Sequence, residues 1–346
     1  MQDAASELPP SLNPVMGTNI LLIRLKAIGD VVLTLPAVHA LRENFPAAKI
    51  TFLTSKENVP LLAGFRDVNE VIALDRKLLR TGNPLTVVPE LFRLLRRLRG
   101  GKYDLVVDFQ GYGETAWLAR LTGAPQRWGS VYGRSRKWAY THGIPRDNQI
   151  QIADFNLSLL RQCGLEIGVV QNEFFLPAAA RAAAAKFFTE QQLDLRKPTL
   201  FIQAFTSSPS KNWPLENFLK LAAHFRDAGV QIIFGGGPGD VAALEPARAA
   251  GFVVAAGVPL LTSAGLVQLS TVVLGGVTGL LHLAVAQKKR IVMLVGFAAT
   301  EPAFPYECKA WAVTPVDGLE ATHIKLEPVI AACAQALSEA NGNDAC

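Results

Sequence analysis

Asp30 stands where an apolar, strand-like run gives way to a helix-like one. In ILLIRLKAIGDVVLTLPAVHALRENFP, residues 20–46, the run stops at Ala27-Ile28-Gly29 and the acid follows. Two readings of this carboxylate are open. It can cap the helix by accepting its first free N–H groups. It can also serve chemistry at the carboxyl end of a strand, where α/β folds place their ligands. Three later segments carry residue types suited to a phosphorylated ligand. In QAFTSSPSKNWPLENF, Thr206 and Ser207 follow a strand end and Lys211 precedes a helix. Hydroxyls, backbone N–H groups and one point charge could there surround a phosphate. In FGGGPGD, Gly236 and Gly237 allow close backbone approach to a ligand. In GGVTGLLHLA, Thr278 and Gly279 open a helix whose N-terminal N–H groups would face an anion, with His282 in its first turns. Each junction is common in α/β proteins, and a lone histidine is more often structural. Together, and in this order, they favour a nucleotide diphosphate held by the second half of the chain.

Other chemistries lack their signatures. There is no G-x-x-x-x-G-K-[ST] loop for phosphoryl transfer. No G-x-G-x-x-G follows the first strand, which argues against a nicotinamide dehydrogenase, and no G-x-S-x-G elbow supports a hydrolase.

These residues must be positioned by an alternation of strand and helix. Apolar runs at 19–25, 49–55, 68–75 and 103–110 read as strands, with helices at 36–45, 84–99 and 113–121 between them. A second set of strands lies at 199–205, 230–236, 271–276 and 290–296, with helices at 215–228 and 241–250. Near-continuous apolar strands separated by helices predict parallel sheets covered on both faces. The expected organisation is a flexible tail over 1–18, one α/β domain over 19–170 and a second over 171–322, with the linker near 168–178. A last helix within 323–346 could cross back to the first domain. Two such domains leave a cleft between the carboxyl ends of their sheets, a suitable place for a two-substrate transfer.

Half of the 346 residues are hydrophobic and 18% are charged, as expected of a well-cored globular chain. No uninterrupted apolar run reaches a membrane span, and the first residues lack the basic start and apolar middle of a signal peptide. Cys163, Cys308, Cys333 and Cys346 show no C-x-x-C spacing, so neither a zinc site nor a disulfide framework is indicated, and a reducing cytoplasm fits. Charge is uneven: residues 1–170 hold 21 Lys/Arg against 15 Asp/Glu, and residues 171–346 hold 13 against 14. The basic clusters RKLLR, LFRLLRRLRGGK and RWGSVYGRSRK are either solvated helix faces or a surface for an anionic partner, such as a phosphorylated substrate or a membrane. Nucleic acid is the weaker reading, because no recognised binding module accompanies the charge.

Six blocks, in order, resemble the bacterial heptosyltransferase family (glycosyltransferase family 9), which builds the inner core of lipopolysaccharide. IRLKAIGDVVLTLPAVHALRENFP resembles its G-D and T-x-P opening, and YDLVVDFQGYGETAWLARLTGAPQRWG its D-x-Q-G segment. SSPSKNWPLENF is similar to its K-x-W-P block, FGGGPGD and VTGLLHLAVA to its G-G-P and D-T-G-x-x-H-x-A blocks, and GFAATEPAFPY to its F-G-P-T-D-P turn. The resemblance implies a GT-B fold of two Rossmann-like domains facing across a cleft. It implies an inverting transfer from ADP-heptose to a lipid-linked, acidic core sugar, at the inner face of the cytoplasmic membrane. Asp30 is then the implied general base. Thr206, Ser207, Lys211, Gly236, Gly237, Thr278, Gly279 and His282 would hold the donor, and Lys26, Gln110, Arg134 and Arg136 the acceptor. No cofactor is required; a divalent metal is compatible but not indicated, since no acidic pair stands out. One departure bears on the donor: Val277 stands where the family usually carries Asp before T-G. A different sugar nucleotide, or a binding protein that kept the fold, are the alternatives.

Overall fold

The computed structural model describes residues 18–132, 134–296, 303–316, 318 and 320–339. The first half runs β1 (Asn19–Ile23), α1 (Ile28–Val32), α2 (Leu35–Asn44), β2 (Lys49–Ser55), β3 (Glu70–Leu74), α3 (Arg76–Thr81), α4 (Pro84–Gly100), β4 (Leu105–Asp108), α5 (Gly113–Leu121), β5 (Gln126–Val131), β6 (His142–Pro145) and α6 (Ile152–Gln162). The second runs α7 (Ala178–Glu190), β7 (Thr199–Gln203), α8 (Leu215–Asp227), β8 (Gln231–Gly236), α9 (Glu245–Ala249), β9 (Val253–Ala256), α10 (Leu260–Leu269), β10 (Val272–Gly276), α11 (Gly279–Ala286), β11 (Ile291–Leu294), β12 (Ala312–Val313) and α12 (Leu326–Glu339).

Each half forms one parallel six-stranded sheet, in the orders β3-β2-β1-β4-β5-β6 and β12-β11-β10-β7-β8-β9. Counted within its own half, each follows the doubly wound order 3-2-1-4-5-6. The strand order therefore reverses between β1 and β4 and again between β7 and β10, where a crevice opens at the carboxyl ends. The central strands are apolar because both faces are covered: Ile20 to Ile23 of β1 are fully buried, as are Leu200 to Ile202 of β7.

The sequence pattern showed four strands per half, and the structure has six. The additions β6, β9 and β12 are sheet edges. Edge strands need no continuous apolar run and tolerate proline, so HGIP at β6 and the two-residue β12 leave little trace in the pattern. β5, QRWGSV, is polar at its start, although its Trp128 is fully buried. The helix expected over 241–250 shrinks to α9, because Pro246 sits in its first turn and cannot donate to an earlier one.

Over its described residues the final helix packs on the second half. α12 lies against β10, β11, β12 and α8 and buries Val329, Cys333 and Ala336 in the apolar cluster of the second sheet. Contact between the halves is made elsewhere. One apolar cluster takes in Ile20, Phe52 and Leu160 from the first half together with Leu266, Leu281 and Met293 from the second. The connecting segment is tied to both: Phe174 N–H donates to Ala286 O at 2.8 Å, and Phe175 N–H to Gly64 O at 3.1 Å. Cys163 and Cys333 are buried thiols, whereas Cys308 is disulfide-bonded, a cross-link its scattered spacing did not signal.

Candidate active site

The four loops that follow the switch-point strands converge, and they carry most of the expected residues. After β1 comes Asp30 in α1; after β4 comes Gln110; after β7 come Thr206 and Lys211; after β10 come Thr278 and His282. A cleft of about 470 Å³ is lined by Asp30, Leu33 and Ile152 from the first half and by Ser210, Lys211, Val277 and His282 from the second.

Asp30 makes a cap-like contact and also lines the cleft. Its Oδ2 accepts a long hydrogen bond from the Ala27 N–H at 3.3 Å, a cap-like contact at the start of α1. The same oxygen is paired with the Arg24 guanidinium, which is 4% exposed and also donates through Nη1 to Phe109 O at 2.7 Å. Asp30 itself is about a third exposed, at 32%, and no partner for its Oδ1 is found among the described residues. One oxygen is thus held while the other is available to a ligand.

Gln110 positions this loop rather than facing an acceptor. It is 1% exposed, its Oε1 accepts the N–H groups of Leu25 at 2.9 Å and Lys26 at 3.1 Å, and its Nε2 donates to Glu114. Asp108, two residues earlier, is fully buried. Its Oδ1 accepts Gln110 N–H and Gly111 N–H, and its Oδ2 accepts the Tyr140 hydroxyl at 2.6 Å. Burial pushes the Asp108 carboxyl above its ordinary range, against the lowering effect of Tyr140 and those N–H groups. The D-x-Q-G block is therefore a scaffold for the β1–α1 loop. Lys26 remains at the surface with Nζ 5.4 Å from the Tyr112 ring centre, and Arg136 donates to Gly111 O at 3.1 Å. The Arg134 side chain lies outside the described residues, as do residues 297–302 of the GFAATEPAFPY block.

Arg146 was not singled out in the sequence. Its guanidinium sits 4.2 Å from the Phe155 ring centre and 6.0 Å from that of Tyr132, and its buried Nε and Nη1 have no hydrogen-bond partner. Burial lowers its affinity for the proton, and Asp30 lies within electrostatic range. A buried, unpaired guanidinium nitrogen is unfavourable unless an anion meets it. Only its fold neighbours give it meaning, so no local motif could have marked it.

In the second half, the loop after β7 is shaped by its own polar groups. Thr206 N–H donates to Asn212 Oδ1 at 2.8 Å, the Thr206 hydroxyl donates to Ser208 O at 2.8 Å, and the Ser208 and Ser210 hydroxyls stand 3.0 Å apart. Ser207 and Lys211 are exposed, and Lys211 has no ion-pair partner among the described residues. The glycines after β8 do not line the cleft. Gly237 N–H donates to Asp240 Oδ2 at 2.7 Å, and a Cβ on Gly236 would stand 2.9 Å from both Asp240 Cβ and Leu244 Cδ1, so packing explains Gly236. Gly279 likewise answers to packing: a Cβ there would stand 2.6 Å from Ile28 Cγ2 and 2.8 Å from Gly29 N. The N-terminus of α11 is therefore pressed on α1, with Thr278 Oγ1 capping Leu281 N–H at 3.4 Å. His282 follows, 6% exposed, with a buried Nδ1 that has no partner. Burial pushes its imidazole down to about 4, against the opposing pull of Asp30. It is neutral near pH 7 and can offer a hydrogen bond but no charge; the cation of the cleft is Lys211.

Among the described residues, no cluster of three or more His, Cys, Asp or Glu side chains could hold a metal ion. Among them, too, no helix is long and apolar enough to cross a membrane.

Comparison with known proteins agrees with this architecture. Residues 91–315 match the model of glycosyltransferase family 9 (heptosyltransferase). A lipopolysaccharide heptosyltransferase 3 of Escherichia coli is 29% identical over 156 residues, which is 44% of this chain and 45% of that relative; the match thus spans about half of the relative's length. The solved family 9 glycosyltransferase of Veillonella parvula superposes with a TM-score of 0.82 at 22% identity, covering 93% of this chain and 97% of its own. An Escherichia coli heptosyltransferase solved with ADP superposes with a TM-score of 0.74 at 20% identity, covering 92% and 99%. With the family match running over well more than half of its length, the chain belongs to glycosyltransferase family 9, the heptosyltransferases.

Proposed function

We propose that this protein transfers a heptose from ADP-heptose to a hydroxyl of a lipid-linked, acidic core saccharide of lipopolysaccharide, with inversion at the anomeric carbon. The observation that carries the reading is the pairing, in one cleft, of a carboxylate from the first half with a lysine from the second: Asp30 with Lys211. Family membership supplies the reaction class, and the relative solved with ADP supports the choice of nucleotide.

In this reading the free Oδ1 of Asp30 accepts the proton of the acceptor hydroxyl as its oxygen bonds to the anomeric carbon. The bond from that carbon to the diphosphate oxygen breaks in the same displacement, and ADP departs with the electron pair. A single base suffices for inversion. Lys211, with the hydroxyls of Ser208 and Ser210, stands where charge grows on the leaving diphosphate. The unpaired Nδ1 of His282 is suited to a neutral hydrogen bond beside it. Arg24 fixes the carboxylate, and Arg146 with Lys26 provides positive charge for an acidic acceptor. Work on a lipid-linked acceptor places the protein at the inner face of the cytoplasmic membrane.

Val277 favours a second reading. It lines the cleft beside Lys211 and His282, where the family pattern would put a carboxylate, and an apolar wall there suits a donor with a different sugar.

The test is turnover of ADP-heptose with a heptose-free core lipid, followed by ADP release, with Asp30→Asn as control. Asn can still accept from Arg24, so the fold is kept. The expected result is acceptor-dependent release in the wild type and a loss of roughly 10²–10⁴-fold in Asp30→Asn, at unchanged ADP affinity. Equal loss of binding and turnover in that variant would remove Asp30 from the role of base.

A further inference from the structure

A larger hollow lies in the first half, on the other side of the β1–α1 loop from the cleft. It encloses about 870 Å³, within the usual range of ligand pockets. Its walls are the carboxyl ends of β1 to β3 together with α3, α4 and α5, and they are mainly apolar: Leu79, Leu91, Leu94, Leu95, Trp117 and Leu121. The helices around it are poorly covered for their composition. α3 has no buried residue, and α4 buries only Leu94 and Leu98 of its seventeen. At the surface, Leu85 is 84% exposed, Phe92 68% and Trp117 58%. An open apolar patch of this kind marks a binding surface in a folded protein.

The charges on the lining identify the occupant. The lining carries four cations, Lys26, Arg76, Lys77 and Arg80, and two acids, Glu57 and Glu114. Arg76 is paired with Glu114 at 2.8 Å. Lys26, Lys77 and Arg80 have no ion-pair partner among the described residues and exceed the one remaining acid. An apolar trough with an unpaired cationic margin suits an anionic amphiphile. The residues Lys26, Ala27 and Ile28 line this trough, and Asp30 lines the cleft, so a chain in the trough would present its polar end toward the carboxylate.

We propose that this groove binds an acyl chain of an anionic amphiphile, with the phosphate or carboxylate of its head held by Lys26, Lys77 and Arg80. The inference deepens the proposed lipid-linked acceptor and rests on that reading for its biological sense, but direct binding tests it alone. The chain is released from water against the leucines, while the head keeps its charge at the margin. The trough would then set the distance between lipid and reacting hydroxyl, as a ruler for an acylated substrate.

The experiment is titration of the full chain with alkyl phosphates of eight, ten and twelve carbons below their micelle concentrations. Calorimetry gives the affinity, and the emission of Trp117, which meets Trp138 edge-on with ring centres 4.5 Å apart, reports the site. Inorganic phosphate and dodecyl maltoside are the controls. Saturable one-to-one binding is expected, tightening up to about fourfold per methylene, weak with maltoside and undetectable with phosphate. Leu91→Glu and Lys77→Glu should each weaken it at least tenfold while ADP affinity stays at the wild-type level. No saturable binding, no dependence on chain length, or indifference to both substitutions would overturn the proposal. Self-association abolished by Phe92→Glu, without amphiphile binding, would overturn it in favour of an interface between copies of the chain. Asp30→Asn should bind the alkyl phosphates normally. A groove that binds them in a protein without transferase activity therefore condemns only the functional reading. Equal turnover of acylated and deacylated acceptors, with no alkyl phosphate bound, condemns only the groove.

Discussion

Gly279→Ala is the most demanding test of how the two halves are joined. The added methyl would stand 2.6 Å from Ile28 Cγ2 and 2.8 Å from the backbone nitrogen of Gly29. A side chain can rotate aside, but the backbone nitrogen cannot, so α1 or α11 must shift. Overpacking of this kind costs about 1–3 kcal/mol. If the strain is relieved by separating the two helices, Asp30 moves away from Lys211 and His282. Carried entirely into the reaction barrier, it lowers kcat by roughly 5–150-fold. The assay is acceptor-dependent ADP release together with the thermal midpoint. Gly29→Ala should be milder, since its Cβ would meet His282 Cδ2 at 3.1 Å and Gly279 Cα at 3.3 Å, distances that small adjustments relieve. Gly100→Ala, with nothing within 4 Å, is the control and should be neutral or slightly stabilising. Wild-type kcat and midpoint in Gly279→Ala would refute the reasoning, because they would mean that α1 and α11 are not held at this distance in the working protein.

His282 predicts a pH dependence of stability. Its folded value of about 4 lies below its ordinary 6.5, so the unfolded chain binds the extra proton first as pH falls. Its contribution is complete above 6.5 and is lost between 6.5 and 4, amounting to about 2 kcal/mol between pH 7 and pH 5. Urea unfolding at both values should show a smaller pH effect in His282→Gln than in the wild type; equal effects would mean that the imidazole is not buried as described. Arg24→Lys should lower kcat about tenfold or more at unchanged ADP affinity. One ammonium cannot span Phe109 O and Asp30 as the guanidinium does, and a lost charge-assisted hydrogen bond is worth about 1.5–3 kcal/mol. Full activity in that variant would show that the orientation of Asp30 does not depend on Arg24.

The sequence by itself determined the class of fold and the places where chemistry could occur. Runs such as NILLI and TLFIQ are apolar throughout because both faces of a central parallel strand are covered, and that pattern is local. The placing of Asp30, Lys211 and His282 near strand–helix junctions was legible for the same reason, and the structure brings the three to one cleft. The edge strands β6 and β12, covered on fewer sides, carried no such run and were missed, whereas the edge strand β3 was legible. What only the tertiary structure decided is which polar residues are free. Gln110 and Arg146 look equally available in the sequence, yet Gln110 is committed to two N–H groups of the β1–α1 loop while Arg146 keeps two buried nitrogens unpaired. The glycines divide in the same way. Those after β8 and at the start of α11 read as loops opened for a phosphate, but Gly279 is a glycine because another helix lies against it. Close approach between elements distant in the chain leaves no periodic or compositional trace; it follows from how the two sheets are set against each other.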